Sequence, residues 1–509
     1  MEETTKPKIC ICLTGKTIDE DIRILDRYRS VVDYVELRAD CLDPSERFYI
    51  RSFPERAGLP SMLTIRRTQE GGKFNDGEGV RLVLFAKALS FPKADPRANY
   101  TYVDLESDFH APVVEEACRT FGTRIVRSRI MLDGLPENLD EAYDELTVEE
   151  DEIPHLVVHP QNSGEFIRFL EWSLARPPRE QLLIAGGPYG VASRILQWRF
   201  GSLWTYASPL RFGMESAAPG QLDPFDLANI YNYDIVKHDT PLYTLMGQQS
   251  IAQSLSPYLH NTAFRKMNKD ALLIPTPADS FTDGLRILEL LGGKGSAITV
   301  PFKEDVLPYL SFHSTDVKRI GACNTLVWRD SAWAGYNTDA DGFERSLIEF
   351  LGKEDLSGCK ATIIGAGGAA KSIALSLFRK GARALIVNRT YSAGRDLARK
   401  YNFQYSHLDD RAIDAIYEYS DLIVQATSVG MKGEGDPISF YEFKGSESVF
   451  DLIYHPAKTP LLERAEASGC RIMNGYRMLC YQAAGQYKLW MDEPPPGIYA
   501  QLAQPTTSQ

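Results

Sequence analysis

Short apolar runs alternate with longer amphipathic stretches from Ile9 to about residue 235. The runs are Ile9 to Leu13, Tyr34 to Leu37, Met62 to Ile65, Tyr102 to Leu105, Arg124 to Val126, His155 to Val158, Leu182 to Ala185 and Leu203 to Tyr206. Runs this short, separated by helical spacing, read as buried parallel strands joined by helices. Eight of them in about 230 residues fit a (β/α)8 barrel. Lys237 to Tyr243, with charge and a proline, reads as a linker. Strands at Leu242 to Met246, Ala271 to Ile274, Ser296 to Val300 and Thr325 to Trp328 then mix with helices. Strand–helix alternation returns at Ala361 to Ile364. A helical stretch, Arg477 to Leu489, precedes Glu493-Pro494-Pro495-Pro496 and a polar tail that reads as disordered. The expected architecture is α/β throughout. A barrel spans 8–235, an α/β substrate domain 242–340 and a Rossmann-like domain 341–475. A C-terminal helix, 476–492, packs back on the substrate domain.

The run Gly365-Ala366-Gly367-Gly368-Ala369-Ala370 follows an apolar strand and opens a helical pattern. Such a turn brings backbone N–H groups and a helix N-terminus onto a pyrophosphate. About 20 residues further on, a second strand ends in Asn388-Arg389-Thr390. An acidic residue there would take the ribose 2′-hydroxyl of NAD. A guanidinium suits a 2′-phosphate, so the cofactor inferred is NADP. A solvated Arg after a structural βαβ unit is the plainer alternative.

Several barrel strands end in charge at two-residue spacing: Glu36 and Arg38, Thr64 and Arg66, Asp104 and Glu106, Arg127 and Arg129. Residues two apart share a face, and strand C-termini of such barrels gather at one mouth. An Arg-rich mouth suits a small carboxylate. An ion-pair network that plugs the mouth accounts for the same pattern.

The 509 residues carry a formal net charge of −12, which argues against a general nucleic-acid binder. The eight cysteines show no metal-binding spacing and read as reduced thiols, with no metal expected. His155 and His159 share a face of strand six but lack a third ligand. No secretory or membrane-spanning segment is evident, so a cytoplasmic protein is expected.

Residues 8 to 232 resemble type I 3-dehydroquinate dehydratase. The resemblance rests on Val35-Glu36-Leu37-Arg38, Thr64-Ile65-Arg66 with Glu70-Gly71-Gly72, Val103-Asp104-Leu105-Glu106, Gly190 to Arg194, and Ala217 to Gln221. It implies a barrel that dehydrates 3-dehydroquinate through a Lys Schiff base, with a His as acid and base. Glu36, Arg38, Arg66, Arg194 and Gln221 would line the pocket. The family's strand-five Ser-x-His reads Ser128-Arg129-Ile130, and Arg129 is expected at the His position. The strand-six Ile-Pro-Lys reads Ile153-Pro154-His155. An imidazole forms no imine with a ketone, and an Arg is a poor proton shuttle.

Leu242 to Trp490 resembles shikimate dehydrogenase. The match includes Ser254-Leu255-Ser256-Pro257, Thr299 to Lys303, Gly321 to Thr325, Asn337-Thr338-Asp339, Gly365 to Ala370, Asn388-Arg389-Thr390, Ala426 to Met431, Asp451 to Tyr454, and Gly475 with Gln482. It implies reduction of 3-dehydroshikimate to shikimate with NADPH, Lys303 and Asp339 forming the catalytic pair. Ser254, Ser256, Thr299, Asn324, Tyr454 and Gln482 would hold the substrate. Gly365, Ala366, Gly367, Gly368, Ala369, Asn388, Arg389, Thr390, Thr427 and Gly475 would hold the cofactor. Read as residues alone, the serines equally suit helix capping and Lys303 a solvated charge. Ala297 and Gln425 replace two Asn residues usual in the family.

The tandem order resembles the bifunctional dehydratase–dehydrogenase of the aromatic pathway. The reading is an active dehydrogenase fused to a barrel that has lost its Schiff-base chemistry. The alternatives are a fully bifunctional enzyme, a quinate/shikimate dehydrogenase, and a non-catalytic sensor of pathway metabolites. The expected partners are small molecules: shikimate, 3-dehydroshikimate and, at the barrel, 3-dehydroquinate.

Overall fold

A computed structural model describes residues 6–503 apart from positions 91, 148 and 178. The chain divides into two compact units that meet in sequence at Gly293 and Lys294. That division falls inside the segment 242–340 that the sequence reads as one domain. No helix among the described residues is long and apolar enough to cross a membrane.

The first unit opens with eight parallel strands: β1 (Ile9–Leu13), β2 (Tyr34–Arg38), β3 (Ser61–Thr64), β4 (Tyr102–Glu106), β5 (Arg124–Met131), β6 (Ile153–Val158), β7 (Leu182–Ala185) and β8 (Thr205–Ala207). They pair in the order β7-β6-β5-β4-β3-β2-β1-β8. The two edges meet at a Gln181–Ser202 bridge, where Leu203 N donates to Gln181 O at 3.0 Å, closing the barrel. Strand periodicity divides the side chains. Cys10, Cys12, Met62, Val126, Val157, Ile184 and Trp204 fill the interior, while Ile9, Ile11, Val35, Leu63 and Leu183 pack outward beneath the helices. β5 runs well past the predicted Val126. Its charged residues hid the extension, because Arg127 is buried by a two-pronged contact with Glu152, 2.7 Å on each side.

The same unit continues into β9 (Leu242–Gly247) and β10 (Leu272–Pro277), a parallel pair, with helices Ser256–Lys266 and Phe281–Leu290. Leu242, Leu272, Ile274, Ile287 and Leu291 belong to the same hydrophobic core as the barrel's outer layer. Polar contacts reinforce it. Asp279 accepts from Ser163 N at 2.8 Å and from Tyr189 Oη. Tyr189 in turn accepts from Gln249 Nε2 at 3.0 Å. The predicted linker is pinned rather than loose: Lys237 N donates to Thr240 Oγ1 at 2.9 Å, and that buried hydroxyl donates to Asp270 at 2.6 Å.

In the second unit β11 (Gly295–Ile298), β12 (Phe312–His313), β13 (Thr325–Arg329) and β14 (Ala332–Tyr336) form a mixed sheet in which β13 lies antiparallel to β11 and to β14. Six parallel strands follow: β15 (Lys360–Ile364), β16 (Arg383–Asn388), β17 (Gln404–His407), β18 (Leu422–Gln425), β19 (Ser448–Asp451) and β20 (Arg471–Met473). Their order, β17-β16-β15-β18-β19-β20, is that of a doubly wound dinucleotide fold. The direction reverses between β15 and β18, where such folds open a ligand crevice. Helices Asp339–Leu351 and Tyr476–Met491 cross closely at Gly342, whose added Cβ would lie 2.8 Å from Gln482 N. The tail departs from the sequence reading. Ile498–Leu502 is helical, and buried Tyr499 packs edge-on against Tyr487 at 5.9 Å. The rest of the tail, 504–509, lies outside the described residues.

Candidate active sites

Lys303 lies just beyond β11, and Asp339 begins the helix Asp339–Leu351. The Lys303 Nζ donates to Asp339 Oδ2 at 2.6 Å. Both side chains are largely buried, and both are held from behind. Cys323 N donates to Lys303 O at 2.8 Å. Asn324 Nδ2 lies 2.9 Å from Asp339 Oδ1, 3.0 Å from Thr338 Oγ1 and 3.2 Å from Gln482 Oε1. One buried amide thus ties Asn324, Asp339 and Gln482 into a single polar cluster.

The glycine turn adjoins this cluster. Gly365 has φ +114°, a conformation that favours glycine, and an added Cβ would lie 3.1 Å from Thr427 Cγ2. A Cβ at Gly368 would lie 3.3 Å from the Lys303 side chain, so the helix N-terminus and the lysine are neighbours. Gly367 has nothing within 4 Å of an added Cβ, and no side chain caps the helix Gly368–Arg379. Ala366 is buried and Ala369 half-buried beside it. Open space and an uncapped helix N-terminus at a topological switch point fit a pyrophosphate.

Arg389 and Thr390 are exposed after β16, and Asn388 Nδ2 closes the turn on Thr390 O at 2.9 Å. Thr427 Oγ1 accepts from Val429 N at 3.2 Å. Gly475 has a packing role, since an added Cβ would lie 1.9 Å from Leu452 O. Thr299 and Tyr454 are half-buried. In the first unit Ser254 Oγ accepts from Ser256 N at 3.2 Å and lies 3.2 Å from Ser256 Oγ, a geometry that caps the helix and leaves two hydroxyls together.

The barrel mouth holds a cavity of about 80 Å³. Glu36, Arg38, Arg66, Arg194 and Gln221 all line it, as does His155. Most of its charges are paired. Arg38 grips Asp40 through two bonds of 3.0 and 2.9 Å. Arg66 contacts Asp104 at 2.9 Å and Glu106 at 3.2 Å. Thr64 donates to Glu36 at 2.6 Å, and Gln221 accepts from Ser208 Oγ. Arg194 differs: it donates to Pro219 O at 3.1 Å, and its Nε has no partner. Burial without an anionic neighbour pulls Arg194 down to about 10. A guanidinium keeps its proton there, so this is an uncompensated buried cation.

Arg129 is not where the sequence places it. It faces away from the cavity and pairs with Glu145, while Ile130 lines the wall. Alternation from Ser128, which bonds Arg66 and Asp104 inside, makes residue 130 the inward one. Tyr206 was also missed. It stacks on His155 at 5.3 Å and gave no sequence signal beyond an apolar run. No cluster of metal-ligating side chains occurs among the described residues.

Three family models match successive segments: type I 3-dehydroquinase over residues 9–238, the shikimate dehydrogenase substrate binding domain over 245–326, and shikimate / quinate 5-dehydrogenase over 349–431. The shikimate dehydrogenase (NADP(+)) of Caldanaerobacter subterraneus is 36% identical over 262 residues, which is 50% of this chain and 92% of that one. The bifunctional 3-dehydroquinate dehydratase/shikimate dehydrogenase of Arabidopsis thaliana, a chloroplastic protein, is 27% identical over 511 residues, 96% of this chain and 82% of that one. The crystal structure of shikimate dehydrogenase from Aquifex aeolicus is 29% identical, covers 53% of this chain and all of that one, and has a TM-score of 0.48.

Proposed function

We propose that this chain, which belongs to the shikimate dehydrogenase family, reduces 3-dehydroshikimate to shikimate at Lys303 and Asp339 and carries a barrel without Schiff-base chemistry. It is an NADP-dependent oxidoreductase of the shikimate pathway, with small-molecule substrates, fused to a type I 3-dehydroquinase domain. The observation that carries the site assignment is the 2.6 Å Lys303–Asp339 contact beside the uncapped helix that begins at Gly368.

NADPH, when bound, supplies the hydride. The chain's residues supply position and charge. The space beside Gly367 at the uncapped helix N-terminus suits the pyrophosphate, and the exposed Arg389 suits the 2′-phosphate. Hydride arrival at a ketone carbon leaves charge on oxygen. The Lys303 ammonium stabilises that alkoxide and donates its proton to it, while Asp339 holds the ammonium in place. Within the second unit Asn324, Gln482, Thr299 and Tyr454 offer the hydroxylated ring polar partners.

For the barrel, the uncompensated Arg194 supports retention of a carboxylate-binding cavity. His155 offers no amine for an imine, and Ile130 offers no proton, which supports loss of the Schiff-base route. Mixing the full chain with shikimate and NADP, and separately with quinate and NADP, while following absorbance of the reduced cofactor tests the reading. Turnover with shikimate exceeding that with quinate is expected. No turnover with either would overturn the reading.

A further inference from the structure

Gln486 belongs to none of the sequence motifs that mark the site, yet it is buried directly behind Asp339's neighbours. It shares a face of the helix Tyr476–Met491 with Gln482, four residues earlier. Small residues let that helix come close: an added Cβ at Gly485 would lie 3.0 Å from the Thr338 side chain. Gln486 Nε2 lies 3.1 Å from Asn324 O and 3.3 Å from Thr325 Oγ1. Backbone atoms fix the direction of every bond here. Thr338 N can only donate, and it donates to Asn324 Oδ1 at 2.9 Å. The other end of that amide, Nδ2, therefore donates to Asp339 Oδ1 at 2.9 Å and to Gln482 Oε1 at 3.2 Å. Thr325 Oγ1 has one hydrogen and gives it to Asn324 Oδ1 at 2.7 Å, so toward Gln486 it can only accept. Asn324 O likewise only accepts, and Gln486 must present its Nε2 to both. The result is a one-way chain of donors from Gln486 to Thr325, to Asn324, to Asp339, each bond polarising the next. Its last member is the carboxylate that holds Lys303 Nζ at 2.6 Å. Asn324 turned over would set its oxygen against Asp339 Oδ1, two acceptors with no hydrogen between them.

We propose that Gln486 is a positioning residue for the dehydrogenase reaction: through Thr325 it locks the Asn324 amide in the orientation that donates to Asp339, and so fixes the ammonium of Lys303. This rests on the reading of Lys303 and Asp339 as the catalytic pair. Gln486 acts only through its neighbours. Removing its amide, or the hydroxyl that relays it, slows the chemical step and leaves NADP binding alone, because the glycine turn at Gly365 takes no part in the chain of donors.

The test uses the full chain in excess over NADP, with shikimate saturating, and follows formation of the reduced cofactor in a single turnover. The rate constant then reports the chemical step in folded molecules, whatever fraction is folded. Thr325→Val keeps the shape of the side chain and removes the relay. Thr325→Ser keeps the relay and gives up a buried methyl. Thr325→Val should lower the rate constant by about 10-fold to 100-fold, while Thr325→Ser stays within about threefold of the parent, the reverse of the order that packing alone would give. Gln486→Met, close in volume, should match Thr325→Val. The double variant should be slower than Gln486→Met by no more than about threefold, since a chain is broken only once. NADP affinity, measured by titration, should not change. Where Gln486→Met fails to fold, the two Thr325 variants carry the test alone. Equal slowing by the Val and Ser variants, a parental rate constant in Gln486→Met, or multiplied effects in the double variant overturns the proposal. The catalytic pair stands in each of those cases if Lys303→Ala, run alongside, is slow. Lys303→Ala at the parental rate overturns both.

Discussion

The Lys303 ammonium sits 2.6 Å from Asp339 Oδ2, while the other oxygen of that carboxylate lies 2.9 Å from the Asn324 amide. The carboxylate is therefore held on both sides, and the lysine inherits its position. Lys303→Ala should cut kcat by about 10²–10⁴-fold, the scale of a positioned proton donor. NADP affinity should change little. Steady-state kinetics with shikimate checks this, and near-normal turnover would leave Lys303 a bystander charge.

Arg389 stands exposed directly after β16, where the adenosine ribose is expected. NADP should be strongly preferred over NAD, and Arg389→Ala should raise the KM for NADP far more than it lowers kcat. Equal use of the two cofactors by the parent protein would remove the guanidinium from the 2′-phosphate.

The cavity wall makes a prediction that separates neighbours in sequence. Ile130→His with His155→Lys places an amine and an imidazole inside the barrel, and borohydride should then trap a covalent adduct with 3-dehydroquinate. Arg129→His with His155→Lys should give none of the added proton transfer, because residue 129 points toward Glu145. Mass spectrometry of the trapped protein, with dehydration rates for the two doubles, distinguishes them. Equal rates would refute the inward placement of Ile130.

Asp21 is fully buried in the helix Ile18–Tyr28, accepts from Gly15 N at 2.8 Å, and leaves its Oδ2 without a partner. Burial pushes its carboxyl up to about 7. The unfolded chain releases this proton near pH 4, whereas the folded chain keeps it until about 7. Between those values the unfolded state binds fewer protons, so this group's contribution to stability falls as pH rises and is lowest above 7. Asp21→Asn should remove that dependence. The gap between variant and parent should grow from pH 4 to pH 8 by on the order of 2–4 kcal/mol. Urea denaturation at several pH values measures it, and a constant gap would show that Asp21 ionises normally.

The cofactor turn was legible because its chemistry is local: a strand, glycines where Gly365 needs positive φ, then a helix. The barrel strands were legible wherever they are apolar, and lost where ion pairs bury charge, as Arg127 with Glu152 does in β5. The Arg129 placement failed by one residue, and in a strand one residue is the difference between the two faces. β12 has only Phe312 and His313, too few for any period. The tail helix hid behind three prolines. Nothing in the pattern of Leu242, Leu272 or Ile287 says which surface they cover, so the core they share with the barrel was invisible until the chain was folded.

That shared core sets different tolerances for change in one domain. The barrel's outer wall serves as the floor for β9, β10 and their helices, so removing residues 8–235 would strand Leu242, Leu272 and Ile274 in water. The cavity at the mouth carries no such duty. A residue such as His155 can be exchanged with the wall left untouched, whereas the barrel as a whole cannot be removed. Side chains at the mouth can therefore vary without disturbing the apolar floor on which β9 and β10 rest.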